Sequence, residues 1–283
     1  MSVKIIVDST ADVSAKIKDQ LITVPLTLRF GDEEYTDGVT INKTEFYEKL
    51  IESDVMPSTS QANIDDFDKI FSEITDNRDT AVVLTLSSKL SGTYNSARIA
   101  AQDHPGRIFV VDTQSVSIGI GVLAETALEL ANDGCTAEYI SDYLEEEKKR
   151  VKVIAMFDTL EYLRKGGRIS KTAAIAGGLL SIKPVVTLKD GEITILGKAR
   201  GSKQANNFLA SEITASGGID FGKPLLLGYT GLSDTTLHKY IEDSSHLYKD
   251  RIDSLEYTLI GSVVGTHAGP GAVAVAFWQN NAR

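Results

Sequence analysis

Four short segments of this chain are rich in hydroxyl-bearing side chains that could hold a polar ligand. They are DSTAD at 8–12, PSTSQ at 57–61, SSKLSGTYN at 87–95 and GTHAGPG at 265–271. The first and third follow apolar runs that read as strands, so they lie where open α/β sheets bind ligands, beyond the carboxyl ends of the strands. The residue types therefore indicate ligand binding through hydrogen bonds.

Helix capping is the simpler interpretation of several of these hydroxyls. Ser9 or Thr10 would cap a helix that opens after the first strand, and one or two hydroxyls before a helix near Asn63 would do the same. Ser91 lies where the backbone N–H groups of a helix N-terminus attract an anion. His267 is the only histidine in a flexible glycine-rich loop, and the sequence leaves open whether it is structural or contacts a ligand.

The sequence lacks the motifs of several other kinds of functional site. No GxxxxGK[ST] phosphate loop is present, and the pair Gly119 and Gly121 lacks the third glycine of a dinucleotide fingerprint. The four histidines have no carboxylate or cysteine at the spacing of metal ligands, so no metal site and no cofactor are predicted. A GxSxG elbow is also missing, which weakens a serine hydrolase without eliminating it.

The first half of the chain alternates apolar runs with helical periodicity, which predicts βαβ units on a parallel sheet. After Arg150 the pattern changes. An Asp-Gly turn at 189–191 between two apolar runs predicts a hairpin, and later apolar runs predict an antiparallel or mixed sheet covered by helices. We therefore expect an α/β protein of two domains, 1–150 and 151–283. The strands are predicted at 4–8, 22–28, 80–86, 107–112, 183–188, 192–199, 225–229, 254–261 and 272–278, and the helices at 91–103, 117–132, 136–149, 202–215 and 233–248.

Charge and composition narrow the class of protein. Residues 1–150 contain 14 basic and 27 acidic side chains, whereas 151–283 contain 15 and 12, so the halves carry −13 and +3. A strongly acidic half disfavours nucleic-acid binding. A single cysteine and a start without a signal sequence favour the cytoplasm. The uncharged stretch 257–282 contains four glycines and a proline, so we interpret it as two strands around a loop and not as a membrane span.

Basic residues of the second half gather in two clusters beside the predicted hairpin. They are either a solvated face or a docking patch for an acidic or phosphate-carrying partner. The clusters are Arg164, Lys165, Arg168 and Lys171, and Lys198, Arg200 and Lys203.

Six ordered motifs resemble those of the bacterial DegV family, whose members are fatty-acid-binding subunits of a fatty acid kinase. The motifs are DSTAD at 8–12, TSQ at 59–61, LSSKLSGTYNSA at 86–97, KGGRIS at 165–170, KAR at 198–200 and GTHAGPGA at 265–272. The resemblance implies two α/β domains that clamp a long-chain fatty acid between them. It further implies a separate ATP-binding kinase subunit, transient contact with a membrane surface, and an acyl phosphate product used in phospholipid synthesis.

Site residues follow from the same resemblance, position by position. Thr59 and Ser91 are implied as direct ligands of the carboxyl group, and His267 as a further ligand that acts directly or through a water molecule. Ser60, Gly92 and Thr266 are neighbouring candidates in the same motifs. Arg168 and Arg200 are implied at the kinase-docking surface.

The sequence also allows an alternative function and a further part of the ligand site. An acyl hydrolase or acyltransferase could use Ser91 as nucleophile and His267 as base, provided that a carboxylate orients the histidine. The apolar helix predicted at 172–180 could line a ligand tunnel or form ordinary core.

Overall fold

The computed structural model describes residues 2–169 and 181–280. Its strands are β1 Val3–Asp8, β2 Ile22–Val24, β3 Thr27–Phe30, β4 Glu33–Thr36, β5 Ser58–Ser60, β6 Thr80–Thr85, β7 Ile108–Asp112, β8 Val151–Met156, β9 Ile182–Lys189, β10 Glu192–Arg200, β11 Leu225–Tyr229, β12 Tyr257–Leu259 and β13 Val273–Trp278. Its α-helices are α1 Lys43–Glu52, α2 Ile64–Asp76, α3 Thr93–Ala100, α4 Ile118–Asn132, α5 Ala137–Glu147, α6 Glu161–Lys165, α7 Ser202–Ala215, α8 Thr235–Asp243, α9 Ser245–Tyr248 and α10 Ser262–Ala268. The predicted helix at 172–180 lies outside the described residues.

A parallel sheet forms the centre of the first half, in the order β2-β1-β6-β7. Its inner strands are continuous apolar runs because helices cover both faces. Ile6 packs with Phe67 and Phe71 of α2, whereas Ile5 packs in the core that contains α4 and α5. The prediction of a parallel α/β sheet is confirmed.

A mixed sheet forms the second half, in the order β10-β9-β8-β13-β11-β12. Only the β11–β12 pair is parallel. The hairpin between β9 and β10 turns at Asp190 and Gly191, with φ of 50° and 82°. This left-handed pair is the reason that Asp-Gly marks a tight hairpin. The predicted mixed sheet and the hairpin are confirmed.

Helix α4 joins the two large sheets. Every residue from Ile118 to Leu128 is buried, because α4 contacts β1 and β6 on one side and β8, β11 and β13 on the other. Apart from Glu125 and Thr126, this stretch of α4 is apolar around its circumference, which is typical of a helix packed between two sheets. The proposed boundary near Arg150 therefore remains a prediction, since α4 belongs by sequence to the first half and packs on both sheets.

A third, three-stranded antiparallel sheet, β4-β3-β5, was not predicted. Its strands have only three or four residues each, and the expected single strand at 22–28 is two strands, β2 and β3. Helix α1 covers this sheet, with Phe46, Tyr47 and Leu50 packed on Leu28 and Phe30. This small unit holds β5, and therefore Thr59, against α10.

Two local predictions were wrong. No α-helix follows β1: residues 9–17 form turns and extended chain, with a 3-10 turn at Lys18–Gln20, because the side chains of DSTAD bond across the fold instead of capping. The segment GTHAGPG does not form a flexible loop throughout. His267 lies in the last turn of α10, which ends at Gly269 with φ of 69°. Residues 257–278 are thus strand, helix and strand.

Candidate functional site

A cavity lies between the two large sheets and the small one. Its volume is about 100 Å³. We call it the central cavity. Its walls come from both halves of the chain and are mainly apolar: Leu26, Leu86, Leu90, Val116, Phe157, Leu163, Ile193, Val263, Val264 and Ala268. Its polar lining residues are Thr10, Thr59, Ser60, Gln61, Ser91, Arg168 and His267.

Three predicted ligand residues lie in this lining. Thr59 is the central residue of β5, paired with Leu28 of β3. Ser91 stands just before α3, and its Oγ lies 3.3 Å from the backbone nitrogen of Thr93 and 3.0 Å from its Oγ1. His267 projects from α10. The structure therefore brings together residues that are up to 208 positions apart in the chain.

Thr59 and His267 are in direct contact, with 2.9 Å between Oγ1 and Nε2. The other ring nitrogen, Nδ1, is buried with no hydrogen-bond partner in the described part of the chain. Gly166 packs there, so closely that a Cβ at this position would come within 2.1 Å of Nδ1. A buried, unsatisfied N–H is less favourable than an unsatisfied lone pair. We therefore assign the proton to Nε2, which donates to Thr59.

This tautomer has two chemical consequences. Because Thr59 Oγ1 accepts from the imidazole, its own proton is free to be donated to a ligand. Burial, with a smaller contribution from the charge of Arg168, lowers the pKa of His267 to about 4. The imidazole is thus neutral near pH 7 and contributes a hydrogen bond and no charge.

Arg168 supplies a cation to the lining of the central cavity. Its Nε donates to the carbonyl oxygen of Leu90 at 3.2 Å and its Nη1 to that of Gly166 at 2.7 Å. These bonds tie the segment after α6 to the Ser91 loop. The resemblance implied a position in or near a docking surface for Arg168, which stays a prediction; in the structure its half-buried side chain lines the central cavity.

The remaining predicted residues are more scattered. Ser60 lines the cavity and is exposed, whereas Arg200 is exposed at the end of β10. Gly92 does not line the cavity, although a Cβ there would come within 2.0 Å of Gln61 Oε1. Thr266 is fully buried, and its hydroxyl donates to the carbonyl oxygen of Ser262 at 3.0 Å, away from the cavity.

Sequence reasoning missed the structural role of two aspartates in DSTAD. Asp8 accepts from the backbone nitrogens of Leu86 and Thr10, at 2.7 and 2.9 Å, and thereby fixes two cavity-lining residues. Burial raises the pKa of Asp8 to about 6. Asp12 is bound by Ser117 Oγ, Lys43 Nζ and the nitrogen of Gly261, which precedes α10. Buried aspartates at a strand end, followed by small residues, are a sequence feature that could have indicated this bracing.

Gln61 was quoted in a motif but was not chosen as a site residue. Its Nε2 donates to Ser96 Oγ at 2.9 Å, across from β5 to α3. It therefore sets the spacing between the strand that carries Thr59 and the helix that follows Ser91. The absence of a side chain at Gly92 leaves room for the amide.

The geometry does not match a nucleophile and base. Ser91 Oγ is within hydrogen-bond distance of Thr93, whereas His267 Nε2 contacts Thr59. Among the residues described, no carboxylate bonds Nδ1 to orient the ring. A triad needs both contacts, so the hydrolase alternative gains no support.

The fold and the cavity together define an α/β protein with a ligand site between its sheets. A sequence model described as "Uncharacterised protein, DegV family" matches residues 2–280, so the chain belongs to the DegV family, as its motifs predicted. A DegV domain-containing protein of Caldanaerobacter subterraneus is 34% identical over 97% of this chain and 98% of the relative.

Solved structures of this family are similar over nearly the whole chain. A structure that describes fatty acid binding by a DegV family protein of Thermus thermophilus has a TM-score of 0.86 and 32% identity, and covers 98% of this chain and 100% of that one. A Thermotoga maritima protein whose structure is described as revealing a fatty acid binding function has a TM-score of 0.83 and 29% identity, with 99% and 100% covered. These likenesses confirm the predicted α/β fold.

Residues 2–169 and 181–280 contain no group of three or more His, Cys, Asp or Glu side chains placed to hold a metal ion. None of the helices described there is both long and apolar enough to cross a membrane.

Proposed function

We propose that this protein binds one long-chain fatty acid, with the acyl chain in the central cavity and the carboxylate at Thr59, Ser91 and His267. The proposal rests on one observation: a mainly apolar cavity is lined at one place by a cluster of neutral hydrogen-bond donors. The fatty acids named for the Thermus and Thermotoga relatives support the same ligand class.

The cavity wall would supply most of the affinity. Burial of roughly 15 methylenes at about 0.8 kcal/mol each gives a ceiling near 12 kcal/mol, from which the lost freedom of ligand and protein must be subtracted. The acyl chain needs only apolar walls, so its contacts are not specific in direction. Orientation must therefore come from the polar end.

Neutral donors suit a carboxylate that has to react. Thr59 Oγ1 has a proton to donate once Nε2 of His267 donates to it, and Ser91 Oγ can donate while it accepts from Thr93. Arg168, in the same lining, attracts the negative charge. Single hydrogen bonds leave carboxylate lone pairs available, unlike a bidentate arginine clamp.

The proposal extends to presentation of the bound acid to a separate kinase subunit in the cytoplasm. A carboxylate oxygen would attack the γ-phosphorus of ATP bound by that subunit, forming an acyl phosphate as the bond to the bridging oxygen breaks and ADP leaves. The acyl phosphate would enter phospholipid synthesis. In this proposal the chain is not an enzyme by itself, it needs no cofactor, and exposed Arg200 and half-buried Arg168 contribute to docking.

Native mass spectrometry of freshly purified protein tests the binding step. We expect one fatty acid per chain, identified after organic extraction, and restored on addition of palmitate or oleate to delipidated protein. Ser211→Ala, which removes an exposed hydroxyl on α7 far from the cavity lining, is the matched control for Ser91→Ala. A protein that is empty and takes up no added fatty acid would overturn the proposal.

Paired assays with a fatty acid kinase subunit and ATP test presentation. We expect Ser91→Ala to reduce acyl phosphate formation more than fatty acid uptake, because the hydroxyl orients the carboxylate and the walls bind the chain. Arg200→Ala should reduce turnover with binding unchanged, whereas Lys69→Ala, exposed on α2, should change neither. Equal loss of binding and turnover in Ser91→Ala would contradict the orienting role.

A further inference from the structure

A second cavity of about 270 Å³ lies between the end of β7, the start of β8 and the tip of the β9–β10 hairpin. Its lining is dominated by amines and other polar groups, in contrast to the central cavity. We call it the lysine pocket, and its lining lysines are Lys148, Lys149, Lys152 and Lys189. One acidic residue, Asp190, lines it as well.

Most of this positive charge is not compensated. Lys148 is buried, pairs with Glu145 at 2.5 Å and donates to the carbonyl oxygen of Asp112 at 2.7 Å. Within the described ranges, Lys149, Lys152 and Lys189 take part in no ion pair, although Nζ of Lys152 donates to a backbone carbonyl oxygen. In a chain of net charge −10, three such ammonium groups at one pocket form a local positive field.

One neutral polar side chain adds to the lining. Gln114 follows β7 and lines the pocket with a backbone held at φ of 51°. The hydroxyl of the next residue, Ser115, is buried against Gly119 of α4, where a Cβ would come within 2.0 Å of it. The lysines and Gln114 are therefore the groups that a ligand in this pocket would contact.

We infer that the lysine pocket binds a phosphate group, either free or as the monoester of a small molecule. Lysine ammonium groups are strongly attracted to phosphate as point charges, and the Gln114 amide adds donors for its oxygens. The pocket's size suits a small ligand. This site is separate from the central cavity, and its occupancy does not depend on the function proposed there.

Isothermal titration calorimetry in a phosphate-free, low-salt buffer tests this inference, with inorganic phosphate and glycerol 2-phosphate as the two probes. We expect saturable binding of at least one probe at one site per chain. Tighter binding of the ester would identify a phosphorylated small molecule as the ligand class, and equal or tighter binding of inorganic phosphate would identify the free ion.

Amino-acid substitutions distinguish a specific phosphate site from general electrostatic attraction to the protein surface. The double variant Lys149→Ala/Lys189→Ala should weaken binding at least tenfold, because it removes two of the ammonium groups that attract the phosphate. The control, Lys69→Ala/Lys239→Ala, removes two exposed lysines from α2 and α8 and should bind as the unaltered chain does. Thermal melting checks that each variant is folded. The inference is overturned if neither probe saturates, or if both double variants bind alike.

Discussion

The central cavity and the lysine pocket share two segments of the chain, yet they have opposite chemistry. Ser115 lines the lysine pocket and its neighbour Val116 lines the central cavity. In the hairpin, Gly191 at the tip lines the lysine pocket and Ile193 in β10 lines the central cavity. One pair of segments can therefore wall an apolar site and a charged one, and each can be altered alone.

A charge placed in the central cavity should give the largest effect. We expect Val264→Asp to reduce fatty acid affinity by more than about a hundredfold, because a buried carboxylate without a partner costs several kcal/mol and repels the ligand's carboxylate. Fluorescent fatty acid displacement measures this. Phosphate binding at the lysine pocket should be unchanged, and loss at both sites together would show that the two are not independent.

Protonation of the buried histidine should reduce stability in acid. The folded-state pKa of His267 is about 4, below its usual 6.5, so between these values the unfolded chain takes up a proton that the folded chain does not. Stability should fall as pH falls from about 6.5 to about 4, by on the order of 3 kcal/mol from this residue.

The measurement is denaturant unfolding of the unaltered chain and of His267→Gln across that range. Asp8 and Asp37, whose pKa values burial raises to about 6, act in the opposite direction in both proteins, so the difference between the two curves isolates the histidine. A difference that stays constant with pH would contradict a buried neutral imidazole.

Removal of one hydroxyl should have a smaller effect. We expect Thr59→Val to weaken fatty acid binding by about tenfold, as for a hydrogen bond to a charged group. Ser58→Ala is a matched control, since Ser58 is exposed in the same strand and does not line the cavity, and it should change affinity less than threefold. Similar losses in both variants would argue against a specific role for Thr59.

A change in ionic strength should have the smallest effect on ligand affinity, and this effect should differ between the two sites. Raising the ionic strength roughly tenfold screens exposed charges, so phosphate affinity at the lysine pocket should fall several-fold. Fatty acid affinity should change less than twofold, because apolar burial dominates it. Equal salt dependence at both sites, measured by calorimetry, would remove the contrast between them.

Long apolar strands and tight turns were predictable from the sequence. β6 and β13 lie at their expected positions because continuous apolar runs fit buried strands, and Asp190–Gly191 forms the expected turn because both residues tolerate positive φ. The sheet β4-β3-β5 was missed because its strands are short and half-exposed. Their pairing comes from contacts with α1 and α10, which no local pattern contains.

The residues that line the candidate site could be named from the sequence, but their arrangement in space could not. The motifs named Thr59, Ser91 and His267, and all three line one cavity. Glycines suggested a loop around His267, but tertiary packing makes that segment a helix whose glycines allow close contact with α1 and α6. The bracing by Asp8 and Asp12 depends on bonds to residues more than 75 positions away, which spacing along the chain cannot reveal.

Photoaffinity labelling tests the central claim most directly. A palmitate analogue with a terminal diazirine should attach, on irradiation, to peptides that line the central cavity, such as those containing Phe157 or Ile193, and excess palmitate should prevent the labelling. Adducts confined to exposed apolar residues such as Ile51 and Val55, or labelling that palmitate does not reduce, would contradict a fatty acid bound between the sheets.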